Sequence, residues 1–318
     1  MTDILANVAT LALAGALVSI AHFRAKSINA TTSSTTSSTT SILISPVSSY
    51  SNKKDRIIKN GFTNLHLVLD FDRTMTSFFG PRGGKGATCH SIVESRRSPE
   101  LKARAESLNA IFYPIEVDPT RSLESKLPWM RSWYALVNEI LIESGITKFD
   151  IIEDVKQANC SLRKGIVDIL DWAKEKSVPV TIFSAGLGDV ISEVLEQQWL
   201  KPLPKNIKII SNMMIFDKVD GKLVGFSDPL IHMFNKTMKF HENIEDFKEL
   251  SSRKNIILLG DSTADISMAD GLDADTVLRV GFLNDNVKTL AETYMSIYDI
   301  VLINDSPATI VLDILHQM

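Results

Sequence analysis

From residue 64 onward the chain alternates short apolar runs with stretches of helical periodicity, and that alternation restricts the fold more than any other feature. The runs cover residues 65–69, 178–183, 207–210, 255–259, 276–280 and 300–303, with helical segments at 165–176, 189–198, 284–295 and 307–316. Strands apolar on both faces belong inside a covered sheet, so the expected class is α/β, a doubly wound and mostly parallel sheet. One interval breaks the rhythm, because roughly a hundred residues separate the first run from the second, too many for an unstructured loop. Within it Leu127, Trp129, Trp133, Leu136, Val137, Ile140 and Leu141 recur at helical spacing. They predict a mainly helical cap over residues 76–159, inserted into a core of residues 61–75 and 160–318. Residues 213–216 and 223–226, around Asp220-Gly221, predict a β-hairpin.

Residues 1–60 differ in composition from the rest. The stretch 4–23 carries no charged residue, and its length at helical rise matches a membrane core of roughly 30 Å. An anchor is therefore one reading, and Asp3 before it with Arg24 and Lys26 after it would leave the remainder on the cytosolic side. A cleaved targeting peptide and a dispensable extension are the other two. Residues 30–51 are rich in Ser and Thr and predict a disordered tether. The expected location is the cytoplasm, with a cytosol-facing membrane anchor or an organelle as alternatives. A net charge of -4 gives no basic field for a nucleic acid, so none is expected as a partner. Cys89 and Cys160 are the only cysteines and form no Cys-x-x-Cys pair, so neither a disulfide framework nor a zinc site is suggested. A monomer is expected.

The strongest local signal is Leu67-Val68-Leu69-Asp70-Phe71-Asp72-Arg73-Thr74, an apolar strand ending in two carboxylates two positions apart. Strand geometry sends both off the carboxyl end of the sheet, where open α/β sheets bind ligands. Like charges that close are tolerable with a divalent cation between them or with pKa values that split. Alone, such a pair is a cap-and-turn feature about as often as a catalytic one. A second apolar run ends in Phe183-Ser184-Ala185-Gly186, which offers a hydroxyl and backbone N–H groups to an anion and equally reads as a helix start. Lys236, in Phe234-Asn235-Lys236, taken alone is a solvated surface lysine. A fourth piece ends in Gly260-Asp261-Ser262, with Asp265 following either to support a cation or to cap a helix. Three of the four pieces lie at the ends of predicted strands, in the order Asp-x-Asp, Ser, Lys, Asp-x-x-x-Asp.

With Thr88-Cys89-His90, Ile115-Glu116-Val117-Asp118-Pro119 and Met268-Ala269-Asp270-Gly271, these pieces give the chain from about residue 64 onward a resemblance to the haloacid dehalogenase superfamily. Within it the chain resembles the cytosolic 5′-nucleotidase III, or pyrimidine 5′-nucleotidase, family. The resemblance implies a Rossmann-like core with an inserted helical cap, and Mg²⁺-dependent hydrolysis of nucleoside 5′-monophosphates (pyrimidine, 7-methylguanosine or both) through an aspartyl phosphate. It implies Asp70 as nucleophile and Asp72 as acid and base. It assigns Mg²⁺ to Asp70, the backbone carbonyl of Asp72 and Asp261, with Asp265 supporting the metal, and the phosphoryl oxygens to Ser184, Ala185 and Lys236. Glu116 matches the position that reads the nucleobase, and a carboxylate suits exocyclic N–H groups. A serine that helps to bind substrate on the family's cap helix is replaced by Val137. Trp129, Trp133 and Tyr134 read either as base-stacking groups or as cap core. The Gly-rich stretch 81–86 reads as a flexible entry into the cap. The alternatives are a phosphatase of the same superfamily acting on another small organic phosphate, and a non-catalytic binding protein of the same fold.

Overall fold

A computed structural model describes residues 42–45, 47–118, 120–240 and 247–318. In chain order its elements begin with β1 (Ile42–Ile44), α1 (Val47–Asn60) and β2 (Leu65–Leu69). Helices α2 (Cys89–Glu94), α3 (Pro99–Val117), α4 (Leu123–Glu143) and α5 (Lys148–Gln157) follow, then α6 (Ile166–Glu175), β3 (Val180–Leu187) and α7 (Gly188–Gln198). The remainder comprises β4 (Ile207–Asn212), β5 (Met214–Phe216), β6 (Leu223–Phe226), α8 (Phe247–Ser252), β7 (Asn255–Gly260), β8 (Thr276–Leu283), α9 (Val287–Ile297), β9 (Ile300–Ile303) and α10 (Thr309–Leu315).

Seven strands form one sheet in the order β1-β9-β8-β7-β2-β3-β4, parallel except for β1. The α/β class and the mostly parallel sheet are thus as the alternation predicts. Every residue of β2 and β7 is buried, as expected for strands covered on both faces. β2 lies between β3 and β7, with Leu67 opposite Val180 and Leu69 opposite Leu259, so Asp70 emerges at the carboxyl edge between two neighbouring strand ends. That edge is where the chain changes direction across the sheet and where a ligand has room. Crossover helices cover the faces with apolar stripes; in α6, Ile166, Ile169, Leu170 and Ala173 are buried at helical spacing.

Within the disordered tether expected over residues 30–51, β1 and the start of α1 form regular structure instead. β1 pairs antiparallel with β9, Ile42 opposite Leu302, and completes the sheet edge. In α1, Ile57 is fully buried, and Lys53 donates to Asp299 at 2.8 Å. The pairing supplies backbone partners that a polar sequence reading does not contain. Residues 4–23 and 30–41 lie outside the described residues, and among the described residues no helix is long and apolar enough to cross a membrane.

Between β2 and β3 the chain forms α2–α5. Their caps are written locally: Ser98 and Ser122 accept N–H bonds at the starts of α3 and α4, and Thr147 with Asp150 makes a reciprocal capping box on α5. Phe112 of α3 is fully buried against Trp129 and Trp133 of α4. The β5–β6 hairpin, though it follows β4 in sequence, joins these helices: the Leu223 N–H donates to the Ile146 carbonyl at 2.8 Å and Thr147 bridges to Lys222. The Gly-rich stretch is a tight turn held by Asn159, which accepts from the Arg82 N–H at 2.9 Å and donates to the Gly83 carbonyl at 2.9 Å.

Candidate active site

Asp70 follows β2 directly, and its N–H continues the ladder to the Leu259 carbonyl at 2.9 Å. The chain then makes one wide helical turn, Phe71–Met75, interrupted by extended Asp72 and by Arg73 at φ 62, a left-handed conformation rare for a side chain of that size. The kink sends the Asp72 carboxylate toward α2, where it accepts the Cys89 N–H at 3.0 Å. A negative group at a helix start is favoured by the unpaired N–H groups there.

Lys236, read from sequence as uninformative alone, is buried at the centre of the site. It donates to Asp70 and, at 2.7 Å, to Asp265. Asp265 uses its second oxygen to accept the Asp261 and Ser262 N–H groups at 3.1 and 2.9 Å, which shapes the loop after β7. Gly260 is required by that arrangement, because a Cβ there would lie 2.4 Å from the Asp265 Cβ. Tyr294 of α9 and Tyr298 just after it clamp the same loop from behind through the Asp261 and Ser262 carbonyls.

Ser184 is buried on the end of β3, which runs on to Leu187, past the strand end read at Phe183. Ser-Ala-Gly therefore belongs to the strand, and the helix begins at Gly188. The extension is held from β4, where Asn212 donates to the Ala185 carbonyl at 2.9 Å and Ser211 to that of Gly186 at 2.8 Å. The Ser184 hydroxyl accepts the Gly186 N–H at 3.0 Å.

Burial dominates the electrostatics. It pushes Asp70 up to about 7 against the opposing pull of Lys236, with Asp265 and Asp72 adding to the rise. Asp72 is raised by burial and partly restored by the Cys89 N–H. Asp261 stands well above the usual carboxylate range through burial and the nearby Asp70 and Asp265 charges. Burial works to neutralise Lys236, but Asp265 and Asp70 outweigh it and hold the ammonium above its ordinary value. One ammonium thus faces more anionic charge than it can offset. Carboxylate oxygens of Asp70, Asp261 and Asp265 lie within 4.8 Å of one another, and the Asp70 Oδ2 is buried without a hydrogen-bond partner. A hard divalent cation fits this all-oxygen set. Asp265 already has both oxygens engaged, which leaves Asp70 and Asp261 as the open donors.

Glu116 lies in the last turn of α3, half-buried. Burial pushes its carboxyl up to about 7, opposed by Lys126. Lys126 donates to the Glu116 backbone carbonyl at 2.8 Å and sits 5.5 Å from the Phe234 ring centre, two residues before Lys236. Tyr134 is raised by burial and then by the charges of Glu116, Asp72 and Asp70. A cavity of about 490 Å³ is lined by residues that include Thr88, His90, Glu94, Trp133, Tyr134 and Val137. Trp133, which also stacks on Phe112, and Tyr134 line this space, whereas Trp129 packs against Phe112 and, like Glu116, is not among the lining residues. The loop residues Arg163, Asn284 and Asp305 also converge behind Asp72; none belongs to a recognisable motif, and no local pattern marks them.

The model of the Pyrimidine 5′-nucleotidase (UMPH-1) family matches residues 73–318. The 7-methylguanosine phosphate-specific 5′-nucleotidase of Gallus gallus is 39% identical over 265 residues, covering 82% of this chain and 90% of the relative. The Homo sapiens protein of the same name is 37% identical over 263 residues, covering 82% and 86%. Among solved structures, that of cytosolic 5′-nucleotidase IIIB (cN-IIIB) bound to cytidine superposes with a TM-score of 0.79 at 28% identity, covering 88% of this chain and 94% of that one.

Proposed function

The chain belongs to the pyrimidine 5′-nucleotidase family and is a 5′-nucleotidase, and on that premise we propose that it hydrolyses pyrimidine and 7-methylguanosine 5′-monophosphates through a phosphorylated Asp70. The observation that carries the reading is the shared Lys236 ammonium, bonded to Asp70 and Asp265 beside Asp261 at the carboxyl edge of the sheet. The names of the relatives and the cytidine in the cN-IIIB structure support the choice of bases.

In the first step an Asp70 oxygen attacks phosphorus, the bond to the 5′-oxygen breaks, and Asp72 gives that oxygen its proton. In the second, water attacks the phosphorus of the aspartyl phosphate, Asp72 takes the water proton, and inorganic phosphate leaves Asp70. The raised Asp72 suits both duties, since an acid held above its usual range retains a proton to give. Ser184, the Ala185 N–H and Lys236 hold the phosphoryl oxygens. Asp70, the Asp72 backbone carbonyl and Asp261 hold Mg²⁺, whose charge offsets that of two anions brought into contact. Asp265 keeps Lys236 and the Asp261 loop in place. Glu116 accepts N–H bonds from the base. A cytosolic location is part of the proposal, supported by the name of the cN-IIIB neighbour and by two free cysteines.

The test is release of inorganic phosphate, with and without Mg²⁺, from CMP, UMP, 7-methyl-GMP, a sugar phosphate and phosphoserine. Mg²⁺-dependent turnover led by CMP or 7-methyl-GMP is expected. Preference for the sugar phosphate or phosphoserine would overturn the substrate assignment, and activity unchanged by chelation would overturn the metal.

A further inference from the structure

Behind the turn that carries Asp72 lies a buried arginine with no place in the reaction as described. Arg163 sits just before α6 with its side chain 1% exposed, and its guanidinium is stacked 4.2 Å from the Phe282 ring centre. Nε donates to the Thr74 carbonyl at 2.8 Å, and Nη2 donates to the Arg73 carbonyl, to that of Thr76 at 3.3 Å and to Asn284 Oδ1 at 3.3 Å. Nη1 donates to Asp305 at 2.7 Å and to the Ser306 carbonyl at 3.0 Å. Asp305 supplies the counter-charge and also accepts the Phe78 and Phe79 N–H groups at 2.8 and 3.1 Å. Loops after β2, β8 and β9 therefore meet on one planar cation, a geometry that a lysine cannot reproduce.

One of these bonds falls on a residue whose backbone conformation is unfavourable. Arg73 is left-handed, so the chain turns sharply directly after Asp72. Its carbonyl accepts from Arg163 and from Asn284 Nδ2 at 3.1 Å, while its N–H donates to the Thr76 hydroxyl at 2.8 Å. With both ends of the residue pinned, Asp72 is kept aimed without any contact between Arg163 and substrate.

We propose that Arg163 is a positioning residue for proton transfer: through the Arg73 carbonyl it holds the Asp72 carboxyl at the departing oxygen. The proposal rests on the reading of Asp72 as acid and base. It separates aiming from mere stability by the leaving group, because nitrophenolate departs without a proton whereas a nucleoside 5′-oxygen needs one.

The experiment measures kcat/KM with Mg²⁺ on CMP and on para-nitrophenyl phosphate for the parent, Asp72→Asn, Arg163→Lys, Asn284→Ala and the Asp72→Asn/Arg163→Lys double variant, with thermal melting alongside. For Asp72→Asn a loss of about 10²-fold or more on CMP and about tenfold less on the nitrophenyl ester is expected. Arg163→Lys should lose roughly 10–30-fold on CMP and under about 3-fold on the ester, and should cost nothing further in the double variant. Asn284→Ala, which removes the second bond to the Arg73 carbonyl, should lean the same way to a smaller extent and carries the test if Arg163→Lys does not fold. Equal losses on both substrates in Arg163→Lys, or in Asn284→Ala where it stands in, would overturn the proposal alone if Asp72→Asn still discriminates between them. Equal losses in Asp72→Asn would overturn the acid–base reading and this proposal with it.

Discussion

At the carboxyl ends of β2 and β7 the Asp70, Asp72 and Asp265 side chains each meet a fixed partner and Asp261 is held through its backbone, whereas the Glu116 carboxylate at the end of α3 has no hydrogen-bond partner among the described residues. The core groups stand on strand ends, within hydrogen-bonded loops clamped by Lys236, Tyr294 and Tyr298. Glu116 stands on a helix with Pro114 inside it and with exposed Ile111, Tyr113 and Val117 around it. Proline removes a bond from the last turns, so this end of the helix is held less tightly than the sheet. The division suits the chemistry. Phosphoryl transfer demands groups fixed in advance, while recognition of a base needs an acceptor that completes its bonds only when the base arrives.

The hardest blow to the contrast is Asp70→Asn, which removes the nucleophile at almost constant volume. Turnover should disappear on every substrate, with a base or without, while the melting temperature stays within a few degrees of the parent. Substantial residual turnover would rule out the covalent route, and loss of the fold would mean that the core depends on its ion cluster for stability.

Next in size is the edge of the core. A chain starting at residue 61 lacks β1 and α1, so it leaves the β9 edge unpaired and removes the fully buried Ile57. It should be less stable than a chain starting at residue 42 by about 3 kcal/mol or more in urea unfolding. Equal stability would show that residues 42–60 decorate the sheet without holding it.

The smallest effects should arise at Glu116. Glu116→Gln keeps the shape and exchanges an acceptor for a donor. It should cost about 1–3 kcal/mol in kcat/KM for CMP and 7-methyl-GMP, less for UMP and almost nothing for para-nitrophenyl phosphate. Equal losses on all four would make Glu116 a structural residue. Its raised carboxyl also sets a direction with pH. Below about 7 the group is protonated, and as pH rises through that value the carboxylate forms. The ratio of kcat/KM for 7-methyl-GMP to that for para-nitrophenyl phosphate should therefore rise a few-fold across this window and stay flat in Glu116→Gln. A flat ratio in the parent would remove the charged acceptor from the reading.

The strands and the acids at their ends were legible because local features coincide there. A buried parallel strand writes a continuous apolar run, and the residue that follows it must leave the sheet at its carboxyl edge. Asp70 and Asp261 stood out as candidates from that coincidence together with the order of the motifs, and Ser184 did so although β3 runs past it to Leu187. Lys236 did not, since its loop has no periodicity and only the fold carries it between Asp70 and Asp265. Nor could the three residues Ile42–Ile44 announce a strand, because the β9 edge they complete lies near the other end of the chain. The β5–β6 hairpin was visible as a hairpin, but its attachment at Ile146 depends on a contact that no repeat encodes. Arg163, Asn284 and Asp305 are the extreme case: far apart in sequence, each unremarkable in its own window, and joined through one guanidinium. Periodicity records what a backbone does with its nearest neighbours, whereas a buried polar group must find its partners wherever the folded chain supplies them.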